Sequence, residues 1–426
     1  MRIGVIGTGY VGLVSGVMFT TLGHQIVCID NNATKLQKLK NGECIIYETG
    51  LKEYLDSAIN SSSIEFTDDY TNLKACEAVF ICVGTPANED GSANLTYVKA
   101  AIESCVKNTS PDTLIIIKST VPPSSAKQMQ EFVRSLGYSH KIASNPEFLR
   151  EGSAVYDFNN PDRIIVGCNP EQVRFFEKIY EKCSHVPMLV TDTTTSELIK
   201  YTSNSFLSIK LSFINEMSNL CEKLDADIEK LSEGVGLDKR IGSMFLKAGP
   251  GYGGSCFPKD TSALSVLATK LGCKSEVLDS AIKSNLARYE LMKDKIVAAT
   301  AGKNIAVLGV AFKAGTDDVR ESPSVEIIKL LVEDDFKISV YDPVAEDNFK
   351  KLNMLEVEVH KSIESCCTSK DSVVILTEWA EFAEINWEHI GTLVKNKIVI
   401  DLRKIADKAK VKEAGFKYYT IGKAGD

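Results

Sequence analysis

The sequence predicts an α/β protein built from two doubly wound domains joined by a long central helix. Three observations lead there. A glycine fingerprint, Gly7-Thr8-Gly9-Tyr10-Val11-Gly12, lies between a β-rich run and a helical stretch. The same strand–turn–helix–strand order restarts after Gly302. Between them, apolar residues recur at three- and four-residue steps from Ile199 onward, the period of an amphipathic helix. A chain of 426 residues is expected to hold two or three domains of about 150 residues each. The boundaries expected here are 1–196, 197–300 and 301–426.

In the first domain, residues 3–6 form a strand, a helix runs to Leu22-Gly23, and a second strand at 25–29 closes on Asp30. This is the context that a dinucleotide fingerprint requires, and it makes the domain Rossmann-like. Gly7 makes the tight turn, Gly9 lets backbone approach a pyrophosphate, and Gly12 permits close packing of helix on strand. The pyrophosphate would rest on the helix N-terminus, where Tyr10 and Val11 begin the first turn. A carboxylate at Asp30 accepts from a ribose 2′-OH and repels a 2′-phosphate, so NAD is expected rather than NADP. Lys35, one turn further, is equally well read as a ribose contact or as a solvated lysine.

Three more strands end in suggestive turns: 78–83 before Gly84-Thr85-Pro86, 113–118 before Ser119-Thr120, and 141–144 before the 145–152 segment. In open α/β sheets ligands sit beyond the carboxyl ends of the strands. Thr85, Thr120, Glu147 and Glu151 are therefore candidates to face cofactor and substrate, although turn and cap chemistry also accounts for each. Strands at 164–166 and 187–191 complete the domain.

The N-cap-rich segment Asp192-Thr193-Thr194-Thr195-Ser196 opens the long helix. Its apolar positions are Ile199, Phe206, Ile209, Phe213, Met217, Leu220 and Leu224, and a break is expected near Gly234-Val235-Gly236. Such a face suits a spine between domains or burial against a second subunit. Lys200 and Asn204 are spaced i, i+4 and project together, either as a solvated stripe or as an ammonium and an amide aimed at an oxyanion. Arg240 lies in the lead-in to the next motif.

That motif is Gly249-Pro250-Gly251-Tyr252-Gly253-Gly254-Ser255-Cys256-Phe257-Pro258-Lys259-Asp260. Its glycines allow close backbone approach and positive φ. A helix is expected over 261–270, stopping at Gly272, with Asp260 as N-cap. A thiol before a helix N-terminus and beside Lys259 is biased toward thiolate, the nucleophilic form.

After Gly302 a strand leads into the turn Gly315-Thr316-Asp317-Asp318-Val319-Arg320, then a helix to about Val332 and a strand at 337–341 ending in Asp342. Ala311 stands where a fingerprint would place its second glycine, so a different phosphate ligand is expected, with Lys313 and Arg320 supplying charge. Strands at 372–376 and 397–400 follow, the latter leading to Arg403. Residues 415–421 read as an edge strand, and Gly425-Asp426 as a frayed end.

Composition narrows the function classes. With 44% apolar and 25% charged residues the chain is an ordinary globular protein. A net charge of −8 disfavours nucleic acid or an anionic membrane as partner. No apolar run approaches the roughly 18 residues of a bilayer span, and the N-terminus carries no signal-peptide core, so cytoplasm is expected. Twelve cysteines without a C-x-x-C and five unclustered histidines suggest no metal site.

Together the fingerprint, residues 145–152, the cysteine motif and Gly309 to Ser322 resemble the UDP-glucose/GDP-mannose dehydrogenase family, nearly end to end. The resemblance implies an NAD-binding domain, a helical dimerisation domain carrying the cysteine loop, and a C-terminal UDP-sugar-binding domain. It implies a homodimer that oxidises the terminal CH₂OH of a nucleotide-sugar to a carboxylate with two NAD. Cys256 would form a thiohemiacetal and then a thioester. Lys200 and Asn204 would stabilise oxyanions, while Asp260, Glu147 and Thr120 would hold and deprotonate water. Gly7, Gly9, Tyr10, Val11, Gly12, Asp30, Lys35, Thr85, Thr120, Glu151, Lys259 and Arg320 would contact NAD. The sugar-nucleotide would meet Phe148, Leu149, Arg150, Glu151, Lys200, Asn204, Phe245, Leu246, Lys247, Tyr252, Gly253, Phe312, Lys313 and Arg403, with Arg240 reaching over from the partner subunit. Relatives acting on N-acetylated sugars usually carry His before the Cys. Ser255 stands there in this chain, and with Tyr252 it points to UDP-glucose rather than GDP-mannose or a UDP-N-acetylhexosamine.

Overall fold

The structure, a computed structural model, describes residues 1–423. The chain divides into two compact units, Met1–Ser203 and the residues from Asn204 onward.

The first unit holds eight strands: β1 (Arg2–Ile6), β2 (Gln25–Ile29), β3 (Ile64–Thr67), β4 (Ala78–Ile81), β5 (Leu114–Ile117), β6 (Lys141–Ser144), β7 (Ile164–Gly167) and β8 (Met188–Thr191). Their order is β3-β2-β1-β4-β5-β6-β7-β8. They run parallel as far as β6, and β7 pairs antiparallel with β6. The first six strands have the doubly wound order, whose direction reverses between β1 and β4. Successive side chains point to opposite faces: Ile116 enters one core, and Ile115 and Ile117 enter the other. Helices covering both faces explain why central strands such as Leu114-Ile115-Ile116-Ile117 are apolar throughout. β3, a four-residue edge strand of alternating burial, carries too little pattern to be read from sequence.

The second unit repeats the plan with β9 (Asn304–Leu308), β10 (Lys337–Tyr341), β11 (Val357–Val359), β12 (Ser372–Ile375), β13 (Ile398–Asp401) and β14 (Lys417–Thr420). Their order is β11-β10-β9-β12-β13-β14, all parallel. β14 is an edge strand, as expected. The expected fraying at Gly425-Asp426 lies outside the described residues.

Two expectations are corrected. The spine helix spans Thr193–Leu224 and breaks well before Gly234. Asp225 turns left-handed at φ 55°, and Asp227 caps a new helix, Ile228–Gly236, by accepting from Glu229 N and Lys230 N. The glycines end that second helix instead. The spine also buries its small polar side, including Ser205, Ser208, Ser212 and Ser218, while Phe206, Phe213, Leu220 and Leu224 are exposed in the chain by itself. Second, the helix after the cysteine loop is Phe257–Lys270, and its N-cap is Cys256, not Asp260. Pro258 fits the first turn, where its missing N–H is not needed, and Asp260 lies inside that turn, where a carboxylate still complements the dipole.

Candidate active site: a dinucleotide cradle and a clamped thiol loop

In the first unit the turn after β1 is built for close approach. Gly7 has φ 97°. A Cβ at Gly12 would stand 1.9 Å from Gly7 O, so helix and turn touch as backbone. A Cβ at Gly9 would meet no protein atom within 4 Å. No internal packing therefore requires glycine there, whereas a ligand lying on the backbone does. Asp30 ends β2 and accepts from Thr8 N at 2.8 Å and Thr8 Oγ1 at 2.6 Å. Burial works to raise its pKa, but these bonds win and hold it below the usual carboxylate range. These residues fit NAD in kind: Gly9 leaves its backbone open to a ligand, and Asp30 places a carboxylate at the end of β2.

Thr85 and Thr120 come together, Thr85 Oγ1 donating to Thr120 O at 2.9 Å. Tyr10 donates to Glu48, and Gly152 N donates to Glu48 Oε2 at 2.8 Å, so the buried Glu48 ties the fingerprint helix to the 147–152 turn. Glu147 and Lys200 form an ion pair at 3.0 Å with both side chains 5% exposed. Phe148 lies beneath it, with Lys200 Nζ 5.3 Å and the Arg163 guanidinium 4.0 Å from its ring centre. Leu149 N donates to Glu147 Oε2 at 2.6 Å. Arg150 is engaged by Asp157 through its guanidinium and backbone N–H. Val11, Glu151 and Lys35 are half-buried.

In the second unit, Cys256 is half-buried at the positive end of its helix, with Ser255 Oγ 3.6 Å from its sulfur. Asp260 is fully buried, accepts from Asn204 Nδ2 at 2.7 Å and pairs with Lys259. The rings of Phe245 and Tyr252 lie 6.0 and 6.1 Å from that of Phe257. The loop is pressed against the turn that follows β9. A Cβ at Gly253 would stand 1.9 Å from Glu321 O, and one at Gly254 would stand 2.7 Å from the Phe312 ring. Gly254 N donates to Arg320 O at 3.2 Å, although the Arg320 side chain is held by Asp318. Arg403 donates to Phe312 O at 3.1 Å and lies against Gly249. Lys313 Nζ is 5.5 Å from the Phe312 ring centre. Leu246 is buried, whereas Lys247 and Arg240 are exposed, the latter pairing with Asp238.

Sequence reasoning missed the residues that hold this loop. Gly249 N donates to Asn215 Oδ1 at 2.9 Å, and Gly249 O accepts from Arg288 Nε at 2.6 Å. Tyr252 N donates to Asn285 Oδ1 at 2.9 Å, and Tyr252 O accepts from Asn285 Nδ2 and Tyr289 OH, both at 3.0 Å. Two residues of the loop are thus gripped by both their N–H and C=O. Arg288 is buried on the helix Glu276–Ala299, bonded only to neutral groups among its hydrogen-bond partners, and burial pulls its pKa down to about 10. Asn285 and Arg288 are three positions apart on one helix face, a polar pair within an otherwise amphipathic pattern, and that is the one signal the sequence offers.

A dinucleotide cradle, a buried lysine–glutamate pair and a thiol on a scaffolded glycine loop define a nicotinamide-dependent oxidoreductase of the doubly wound class. Comparisons with known proteins make this specific. Three domains of the UDP-glucose/GDP-mannose dehydrogenase family match: the NAD binding domain over residues 1–184, the central domain over 194–287 and the UDP binding domain over 306–408. UDP-glucose 6-dehydrogenase of Rickettsia felis is 50% identical over 99% of this chain and 96% of its own. Bacillus subtilis UDP-glucose 6-dehydrogenase TuaD is 38% identical over 99% and 93%. The solved structure of a UDP-glucose dehydrogenase from Pyrobaculum islandicum superposes with a TM-score of 0.91 at 36% identity, covering 99% of this chain and 98% of that one. The chain belongs to the UDP-glucose/GDP-mannose dehydrogenase family.

Among the described residues no helix is long and apolar enough to cross a membrane.

Proposed function

We propose that this protein oxidises UDP-glucose to UDP-glucuronate, taking four electrons in two steps with Cys256 as nucleophile. The observation that carries the reading is the thiol itself: half-buried, at the N-cap of a helix, on a loop whose backbone is gripped at Gly249 and Tyr252. A helix N-terminus favours thiolate, and a scaffolded loop lets that thiolate be preorganised.

NAD, when bound, accepts a hydride at each oxidation. Gly9, Gly12 and Asp30 would hold it, with Thr85, Thr120, Lys259 and Arg320 as further contacts. The first oxidation turns the C6 alcohol into an aldehyde, with one proton released. The aldehyde carbon has no hydride to give, so the Cys256 thiolate adds to it and makes a thiohemiacetal. Lys200 and Asn204 donate to the oxyanion. The second oxidation leaves a thioester and releases a proton when the hemiacetal hydroxyl becomes the carbonyl. Water, held by Thr120 and deprotonated by Glu147 or Asp260, displaces the thiolate and gives the acid. Over both steps one water and two NAD are consumed, and two NADH and the carboxylate result. UDP would be bound by the second doubly wound unit through Lys313 and Arg403.

We also propose a homodimer in the cytoplasm. Phe206, Phe213 and Leu220 repeat every seven residues on the spine and are 62, 50 and 49% exposed, a stripe that a second copy would cover. The test of the activity is product analysis with UDP-glucose as the limiting reagent. UDP-glucuronate with its matching NADH is expected, whereas turnover confined to an N-acetylated sugar nucleotide would replace the substrate assignment.

A further inference from the structure

Glu48 lies in the connection between two helices, outside every motif of the sequence, and yet it is only 8% exposed. Its backbone is fixed. Leu51 N donates to Glu48 O at 3.3 Å, Gly50 turns left-handed at φ 79° to start the helix Leu51–Asn60, and Ile45 and Ile46 pack on the core. Its carboxylate accepts from three donors that come from two distant parts of the chain. Tyr10 OH donates to Oε2, Gly152 N donates to the same oxygen at 2.8 Å, and Val155 N donates to Oε1 at 3.3 Å. Gly152 N also reaches Tyr10 OH at 2.8 Å. Burial first, and then the Glu48 carboxylate, push the Tyr10 phenol up from its ordinary pKa, so it keeps its proton and donates.

The two parts joined in this way are not equally anchored. Tyr10 opens the helix Tyr10–Thr21, whose residues from Gly12 to Phe19 are buried and whose Gly12 touches Gly7 as backbone. That helix keeps its place by its own packing. Residues 147–152 form neither helix nor strand. The N–H groups of Leu149, Arg150 and Ser153 close on Glu147, Asp157 and Arg150, all within the same stretch of chain. The turn is tied to the rest of its unit near its two ends by buried carboxylates: Glu147 pairs with Lys200 at 3.0 Å, and Glu48 grips Gly152, which is left-handed at φ 80°. A carboxylate can take all three donors because both of its oxygens accept. A glutamine of the same shape has one accepting oxygen. Whichever way it faces, its NH₂ meets the N–H of Gly152 or of Val155, and that donor is stranded.

We propose that Glu48 is a positioning residue that holds the 147–152 turn against the dinucleotide cradle, so that Phe148 and its neighbours meet the sugar-nucleotide in one fixed arrangement. This rests on the reading of that turn as a substrate contact. Releasing Gly152 frees one end of the turn and leaves the fingerprint helix where it is.

The test is Glu48→Gln in the full chain, read by kcat and KM for UDP-glucose, by NADH affinity from fluorescence titration and by melting temperature. kcat/KM for UDP-glucose should fall about ten-fold or more, the scale of a buried hydrogen bond to a charged group. NADH affinity should stay within about two-fold, because the cradle is held by other contacts. Glu48→Ala leaves room for water to reach both N–H groups, and it should give the same loss and stay folded if the glutamine variant does not. A folded variant whose kcat/KM stays within about three-fold of wild type overturns the proposal even if it melts lower, since Glu48 would then serve stability alone. NADH affinity that falls as far as kcat/KM overturns it too, and so does failure of both variants to fold. Phe148→Ala tests the reading beneath. If that variant keeps the kcat and KM of wild type for UDP-glucose, the failure lies in the role given to the turn and not in the grip of Glu48 on it.

Discussion

Replacing Asn285 with leucine tests how far the thiol depends on its scaffold. The substitution keeps the approximate volume and removes three hydrogen bonds: from Tyr252 N at 2.9 Å, to Tyr252 O at 3.0 Å and to Tyr289 OH at 2.9 Å. Tyr252 O keeps its bond from Tyr289 OH at 3.0 Å. The Tyr252 N–H is left stranded in a site where Tyr252 is 5% exposed. A stranded buried donor costs about 1–3 kcal/mol, and each lost bond about 1 kcal/mol net. The observed loop conformation thus loses about 3–5 kcal/mol, the stranded donor plus the two other bonds, against alternatives that solvate the N–H. At 1.4 kcal/mol per factor of ten, its population falls roughly 100- to 4000-fold. Because Cys256 lies four residues further along the same loop, kcat should fall by a similar factor. NAD affinity should stay within about two-fold, since the cradle belongs to the other unit. Steady-state kinetics, NAD titration by fluorescence and the rate of Cys256 alkylation by iodoacetamide measure these separately. A folded Asn285→Leu variant with kcat within about three-fold of wild type would refute the argument that these bonds preorganise the thiol.

Two further predictions concern the spine helix. Glu197 is buried beneath the N-terminus of the helix Ser125–Ser135, accepts from Ala126 N at 2.7 Å, and burial pushes its pKa up from 4.5 to about 8. Between those values the native state holds a proton that the unfolded chain has lost, so stability falls as pH rises through that window, by a few kcal/mol. Glu197→Gln should flatten the decline of melting temperature from pH 5 to 8, and an unchanged slope would contradict the assignment. If the proposed homodimer forms through the Phe206, Phe213 and Leu220 stripe, Phe213→Glu should sediment as a monomer where the wild type sediments as a dimer, because a charge in an apolar seam is expensive to bury; a dimer that persists would remove the stripe from the interface.

Features encoded by local chemistry were legible in the sequence. The Gly7–Gly12 turn, Asp30 and the strand-end segments at Thr85, Thr120 and Glu147 are recognisable because turn geometry and sheet polarity dictate residue type within a few positions. The second domain was legible by its repeat, and the structure shows why the fingerprint could be lost there. Asp342 is saturated by Val310 N, Ala311 N, Val344 N, Ala345 N and Trp379 Nε1, so it braces the turn as Asp30 braces Thr8 but has no capacity left for a ribose. The scaffold of the thiol loop was not legible. Asn215, Asn285 and Arg288 meet residues 33 to 39 positions away, and an isolated Asn or Arg on a helix carries no local signature of such a contact. The boundary errors at Asp225 and Cys256 came from choosing glycine and aspartate as punctuation where a left-handed aspartate and a first-turn proline served.

If one sulfur atom allows a second electron pair to leave the same carbon, NADH yield with limiting UDP-glucose shows it most directly. Wild type should give two NADH and one UDP-glucuronate per UDP-glucose, and Cys256→Ala should form no acid. One NADH per sugar from the wild type, or full conversion to the acid by Cys256→Ala, would contradict the account.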